Sequence, residues 1–331
     1  MKRALVYIAW FVLLAVGVDS FLYGVLFPIY DRRIELSKLW APKDYVFIGS
    51  SHTAEDIDAE ILSAELEGTV LKITVPGADM ELRLALFTQY IALHRDNLPK
   101  AIVVEVTKYA LNNKRFVPES SRAVYGYYRQ GLLHEYLEDR FKKERVGILY
   151  KFSDCFSLNP EFPFMATATF WNFYNQVVVK SLSYLKSIIH RPVHSLPEIP
   201  IYGEVLDQLS VPDEGTLRNW KKEYEPFDNQ ISNESLKALK EIYKIAGKQN
   251  IPMVLLEYPT YNFGESDDLF NRVREEFGAA TQSGISYIRL DPKRFEADPT
   301  IFQDAGHLNI RGRVNFAKAL RVSLCDRGYC K

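Results

Sequence analysis

The chain is poor in the features that mark several large classes of protein. It has three cysteines, Cys155, Cys325 and Cys330, too few for a disulfide framework or a thiolate metal site. Cys325 and Cys330 are close enough to close a small loop in an oxidising compartment, or they are unpaired thiols at a frayed end. There is no zinc-finger spacing, no glycine-rich phosphate cradle and no internal repeat. Net charge is -1, so no overall basic field exists to hold nucleic acid. What remains is a chain of 331 residues, 47% hydrophobic and 25% charged, the composition of a folded protein with one large core or two modest ones.

The first thing present is a long apolar run. Met1-Lys2-Arg3 precedes Ala4 to Val18 without a charge, then Asp19, then Ser20 to Tyr30 without another. As a helix rising ~1.5 Å per residue, residues 4–30 reach roughly 40 Å, more than the ~30 Å hydrocarbon layer. This predicts an N-terminal membrane anchor, residues 1–30, followed by a polar linker, residues 31–43. Lys2 and Arg3 favour a cytoplasmic N-terminus and an extracytoplasmic remainder, although Arg32 and Arg33 oppose that bias. A cleaved signal peptide is the rival reading, but no small-x-small site follows the apolar core cleanly. Asp19 faces either a partner or a wet cleft, or reaches the outer headgroups.

Beyond the linker the hydrophobic period changes. Asp44 to Ile48 reads as a short buried strand, Asp58 to Leu66 as a helix, and Thr69 to Val75 as a second strand. Pro76-Gly77 breaks it, and Asp79 caps a helix running to about His94. Ala101 to Val106 is a third strand. The alternation resumes with a helix from Asn233 to Lys248, a strand from Ile251 to Glu257, a helix from Ser266 to Thr281, a strand from Ile285 to Leu290 and a helix from Arg313 to Leu324. Five strands alternating with helices predict an α/β domain, residues 44–324, with a doubly wound, flavodoxin-like parallel sheet and a short tail, residues 325–331.

A helical insertion interrupts this domain at about 107–232. Gly131 to Tyr150 and Met165 to Ile189 look helical within it. Its aromatic cluster, Phe162-Pro163-Phe164 with Phe170-Trp171-Asn172-Phe173-Tyr174, is ordinary core, a cap over the site, or a surface resting on the membrane. From Thr107 to Lys151 there are ten Lys or Arg against five Asp or Glu, a surplus suited to anionic headgroups or polymers, or simply a solvated face. His190 and His194 sit among prolines and read as loop residues.

The chemistry lies at the two ends of the α/β domain. Gly49-Ser50-Ser51-His52 follows the first strand, and Asp304-Ala305-Gly306-His307-Leu308-Asn309 precedes the last helix. A serine hydroxyl needs a base to take its proton and N–H donors for the oxyanion. Asp304 and His307, three apart, are spaced for the carboxylate to orient the imidazole. On the residues alone Ser50 and Ser51 are alternatives, and both also suit a polar turn. A metal site at Asp304 and His307 lacks third and fourth ligands.

These blocks, with Gly77 after the second strand, resemble the SGNH (GDSL-like) hydrolase superfamily over roughly residues 44–110 and 233–324. The resemblance makes Ser51 the nucleophile, His307 the base and Asp304 its orienter. It implies that Gly77 and the Ser51 backbone N–H serve the oxyanion, with Asn112 or Asn113 as the asparagine donor or backbone donors alone. Ser50 replaces the family's aspartate, and His52, next to the nucleophile, points elsewhere if the turn is tight and at most supports the site from behind. Together with the anchor, that replacement is similar to the membrane-tethered branch that includes the D-alanyl-lipoteichoic acid D protein and alginate-type O-acetylation proteins. The branch implies acyl transfer or ester hydrolysis on a cell-envelope polymer, without a cofactor, beside a membrane-bound O-acyltransferase. The alternative expectation is a non-catalytic partner subunit of such an acyltransferase, which binds polymer or acyl carrier.

Overall fold

The computed structural model describes residues 41–111, 132–143, 212–224, 231–261 and 285–330 apart from 296, with scattered positions at 6–24, 124, 127 and 271–275. The chain divides into two compact units, one formed by Met1–Ile34 with Ser121–Glu204, the other by Glu35–Ser120 with Val205–Lys331. In the first unit, the described positions between 6 and 24 are helical. The side chains of Trp10, Phe11, Leu14 and Phe21 there are exposed. Among the described residues no helix is long and apolar enough to cross a membrane. The same unit contains the helix His134–Lys143, which buries Leu137 and Phe141 within the segment expected to be helical. The helix expected at Met165 to Ile189 and the aromatic cluster lie outside the described residues, as do His190 and His194.

The second unit is built on five parallel strands: β1 (Tyr45–Gly49), β2 (Val70–Thr74), β3 (Ala101–Glu105), β4 (Met253–Glu257) and β5 (Ile285–Arg289). Their order across the sheet is β2-β1-β3-β4-β5, the doubly wound order in which the chain steps from β1 to one side and returns on the other. Register aligns Gly49 with Thr74 and Ile48 with Val104. Every residue of β1, β3 and β4 is buried, which is why these strands read as continuous apolar runs rather than as alternating ones.

The helices of this unit include α1 (Ser51–Asp56), α2 (Ala59–Leu66), α3 (Met80–Leu93), α4 (Lys108–Leu111), α5 (Glu214–Tyr224), α6 (Asn233–Lys248) and α7 (Ile310–Cys325). Tyr45, Phe47, Val103, Val254 and Leu256 share one core with Leu62 and Leu66 of α2 and Phe316 and Leu320 of α7. Val46, Ile48, Val104 and Leu255 are buried as well and point to the opposite face. There α3 contacts β1 and packs on α6. Each fully buried Leu, Ile or Phe contributes about 1.5–3 kcal/mol.

Local signals set several boundaries. Asp58, Asp79 and Ser232 each accept backbone N–H bonds at the starts of α2, α3 and α6. α7 starts at Ile310, earlier than the expected Arg313, because Asn309 is its cap and accepts the Gly312 N–H at 3.1 Å. The expected helix over Ser266 to Thr281 lies largely outside the described residues; positions 271, 273 and 275 are helical.

Two helices within the expected insertion group with the sheet. α4 and α5 belong to the sheet unit, and Trp220 of α5 joins its core. The Ser232 N–H donates to the Leu111 carbonyl at 2.8 Å, so the chain leaves and re-enters near the same point. At the C-terminus Cys325 and Cys330 form a disulfide. The enclosed Tyr329 accepts the Tyr45 hydroxyl on its carbonyl at 2.7 Å and meets Ser286 Oγ at 2.7 Å, docking the tail onto β1 and β5.

Candidate active site

With all strands parallel, their C-terminal ends share one edge, and the crevice between β1 and β3 opens where the winding reverses. β1 delivers Ser50 and Ser51 to that crevice and β3 delivers Glu105. The turn that carries Ser50 and Ser51 is tight because its surroundings leave no room. A β-carbon on Gly49 would collide with Thr53 Oγ1 and Glu105 Oε2. Gly77, in the turn after β2, has φ of 70°, a left-handed conformation that glycine adopts without steric cost. That turn adjoins β1, since the Val75 N–H reaches the Gly49 carbonyl at 3.4 Å.

Ser51, Asp304 and His307 come together. Ser51 Oγ lies 2.9 Å from His307 Nε2, and His307 Nδ1 lies 2.9 Å and 3.0 Å from the two Asp304 oxygens. Asp304 also accepts the backbone N–H groups of Gly306 and His307, each at 2.8 Å. The carboxylate thus shapes the loop that carries the imidazole as well as orienting its ring. Burial alone would lower the His307 pKa. The Asp304 hydrogen bond and the charges of Asp56, Asp304 and Glu55 outweigh it and raise the group to about 9. Burial opposes ionisation of Asp304 too, but its bond to His307 and the two backbone N–H groups carry its pKa below the usual value.

Beneath the serine sits a buried carboxylate that the sequence reading did not assign. Glu105 Oε1 accepts Ser50 Oγ at 2.6 Å and Arg83 Nη2 at 2.8 Å. Its Oε2 accepts the Ser50 N–H at 2.7 Å, the Thr53 N–H at 3.2 Å and Thr53 Oγ1 at 2.8 Å. Arg83 also bonds the Glu105 carbonyl at 2.6 Å. Burial pushes the Glu105 pKa up, yet Arg83 and the bonds from Ser50 hold it down at about 2. An aspartate at position 50 would set a second carboxylate against this one, which is a physical reason for the serine there. The available signal was a charged residue at the end of an otherwise apolar strand.

His52 packs behind the site. It is buried, its Nδ1 lies 3.2 Å from Asp56 Oδ2, and its ring stacks on that of His307 at a centroid distance of 4.7 Å. Glu55 accepts Gln303 Nε2 at 2.8 Å; burial, ahead of neighbouring charges, raises its pKa.

Asn112, Asn113 and Asp19 lie outside the described residues. Among the described residues no group of three His, Cys, Asp or Glu is placed to hold a metal ion. The Ser51–His307–Asp304 contacts allow a proton to pass from Ser51 onto Nε2 of His307 while Asp304 holds Nδ1, the chemistry of serine nucleophiles. No family model and no curated protein matches the chain, so the residues and their geometry carry the functional argument.

Proposed function

We propose that the protein is a membrane-anchored, extracytoplasmic serine acyltransferase or esterase of the SGNH type, acting on O-acetyl or D-alanyl esters of a cell-envelope polymer. One observation carries this reading: Ser51, His307 and Asp304 form a continuous hydrogen-bonded chain whose Ser51–His307 link spans a sequence separation of 256 residues, at the strand ends where doubly wound folds bind ligands. In the reaction, His307 Nε2 takes the Ser51 proton as Oγ attacks the acyl carbonyl. The oxyanion is met by backbone N–H groups of Ser51 and Gly77, with Asn112 or Asn113 as a further donor. The imidazolium then protonates the leaving oxygen, and the acyl-enzyme passes its acyl group to a sugar hydroxyl or to water. No cofactor is required.

Two features support the setting. The exposed apolar side chains at described positions between 6 and 24 suit a lipid environment, and the Cys325–Cys330 bond suits an oxidising compartment. The test is a serine-directed fluorophosphonate: Ser51→Ala should abolish labelling while the far-UV circular dichroism is unchanged. Retained labelling would sink the assignment.

A second reading, a non-catalytic partner of a membrane-bound O-acyltransferase, has one observation in its favour. With a pKa of about 9, His307 is mostly an imidazolium at neutral pH, a donor to a bound ligand rather than a base. Under that reading a Ser51→Ala chain supports wild-type polymer modification and an Asp19→Leu chain does not.

A further inference from the structure

The loop that carries the base has its own internal ties. The Gln303 N–H donates to the His307 carbonyl at 2.9 Å, Phe302 bridges Leu308, and Asp304 closes the turn through two backbone N–H groups. These bonds set the loop's shape, but they do not set its distance from Ser51. Contacts from α1 reach across to do that. The Leu308 N–H donates to Asp56 Oδ1 at 2.7 Å, and Gln303 Nε2 donates to Glu55 Oε2 at 2.8 Å. The His52 ring lies over the His307 ring with 27° between the planes. α1 is only six residues long, and Ser51 begins it.

We propose that His52 and Asp56 are a second buried histidine–carboxylate pair that positions the base: Asp56 holds the His307 loop at working distance from Ser51, and His52 fixes the plane of the His307 ring. This rests on the reading of Ser51 as nucleophile and His307 as its base. Asp56 is wholly buried, and a buried carboxylate is costly unless donors meet both oxygens. Here Oδ1 receives the Leu308 N–H and Oδ2 faces His52 Nδ1. A tether alone would need only the first bond; the second explains why the residue four positions before Asp56 is a histidine. Held by Nδ1, the His52 ring presents its π-face to His307, where positive charge gathers as the serine proton arrives.

The pair acts within a defined set of charges. His307 faces Asp304 on its own loop and Glu55 and Asp56 on α1. Behind His52 and Asp56 lie Tyr258, which follows β4, and the Arg83–Glu105 pair. Removing the Asp56 charge therefore leaves Glu55 and Asp304 to hold the imidazolium.

The test compares Asp56→Asn and His52→Gln with wild type in the full-length chain in mild detergent, by the fluorophosphonate labelling rate against pH. The titration of the His307 ring in 13C-histidine-labelled protein, assigned with His307→Gln, gives a readout independent of reactivity. Asp56→Asn should move the rising limb of labelling and the ring titration down by about one pH unit and lower the plateau roughly tenfold. His52→Gln should lower the plateau by a similar factor with a smaller movement of the limb. A folded Asp56→Asn chain with both limb and plateau matching wild type overturns the proposal. If Asp56→Asn does not fold, an unaltered plateau in His52→Gln overturns it instead. If the probe fails to label wild type while the ring titration still moves by that unit, the serine reading falls and the positioning of His307 stands. If neither occurs, both fall.

Discussion

The most exposed consequence of the geometry is the pH dependence of Ser51. Burial disfavours the charged form of His307, but its bond to Asp304 and the charges of Asp56, Asp304 and Glu55 raise its pKa from 6.5 to about 9. A general base must be unprotonated to accept the serine proton. With that pKa, only about 1% of the free protein has a neutral imidazole at pH 7, and about 10% at pH 8. The second-order rate of fluorophosphonate labelling should therefore climb close to tenfold per pH unit from pH 6 to 8 and level off above about pH 9. Asp304→Asn removes the strongest upward influence, so its limb should fall to lower pH while its plateau drops by orders of magnitude as ring orientation is lost. Stability moves the other way. Because the folded pKa is raised, the contribution of His307 is fully present below pH 6.5 and is lost as pH rises through about 9, by about 3 kcal/mol. Urea unfolding at pH 6 and pH 9.5, compared between wild type and His307→Gln, reads that difference. A labelling limb centred near pH 6.5 would refute the account, since it would mean that the carboxylates around His307 do not act on it.

Two further outcomes follow from features outside the triad. Arg83→Met leaves the Glu105 charge buried with its guanidinium partner gone, and should cost about 3–5 kcal/mol in urea unfolding; Arg83→Met with Glu105→Gln should recover part of that, and an equal or larger loss in the double variant would count against the ion pair. Replacing Cys325 and Cys330 by serine opens a six-residue loop, Cys325 through Cys330, and should cost about 2 kcal/mol, with the labelling rate unchanged because Tyr329 docks at β1 and β5, away from the strand ends that carry Ser51.

Much of the architecture was legible because it is local. The β-branched and aromatic runs at 45–49, 70–74 and 101–105 mark buried strands, and Asp79 and Ser232 cap the helices that follow them as their types predict. α1 was not legible. Its sequence, Ser51-His52-Thr53-Ala54-Glu55-Asp56, has no apolar stripe, since its side chains meet Glu105 below and the His307 loop beside it instead of an oily core. α5 falls inside the stretch expected to be an insertion, and only packing shows that Trp220 is core. Asp304 and His307 could be paired from their spacing, three apart, and joined to Ser51 by resemblance.

Strands, caps and the three residue types that can hand a proton from serine to imidazole are written in the local order of the chain. The charges that surround them come from packing. A carboxylate's partner is set by distances that span the chain: Arg83 reaches Glu105, Asp56 reaches Leu308, and Glu55 reaches Gln303. No period or spacing encodes such pairs, because each joins elements that meet only when the sheet is wound. For the same reason the basicity of His307 belongs to the fold, while its identity as a candidate base belongs to the sequence.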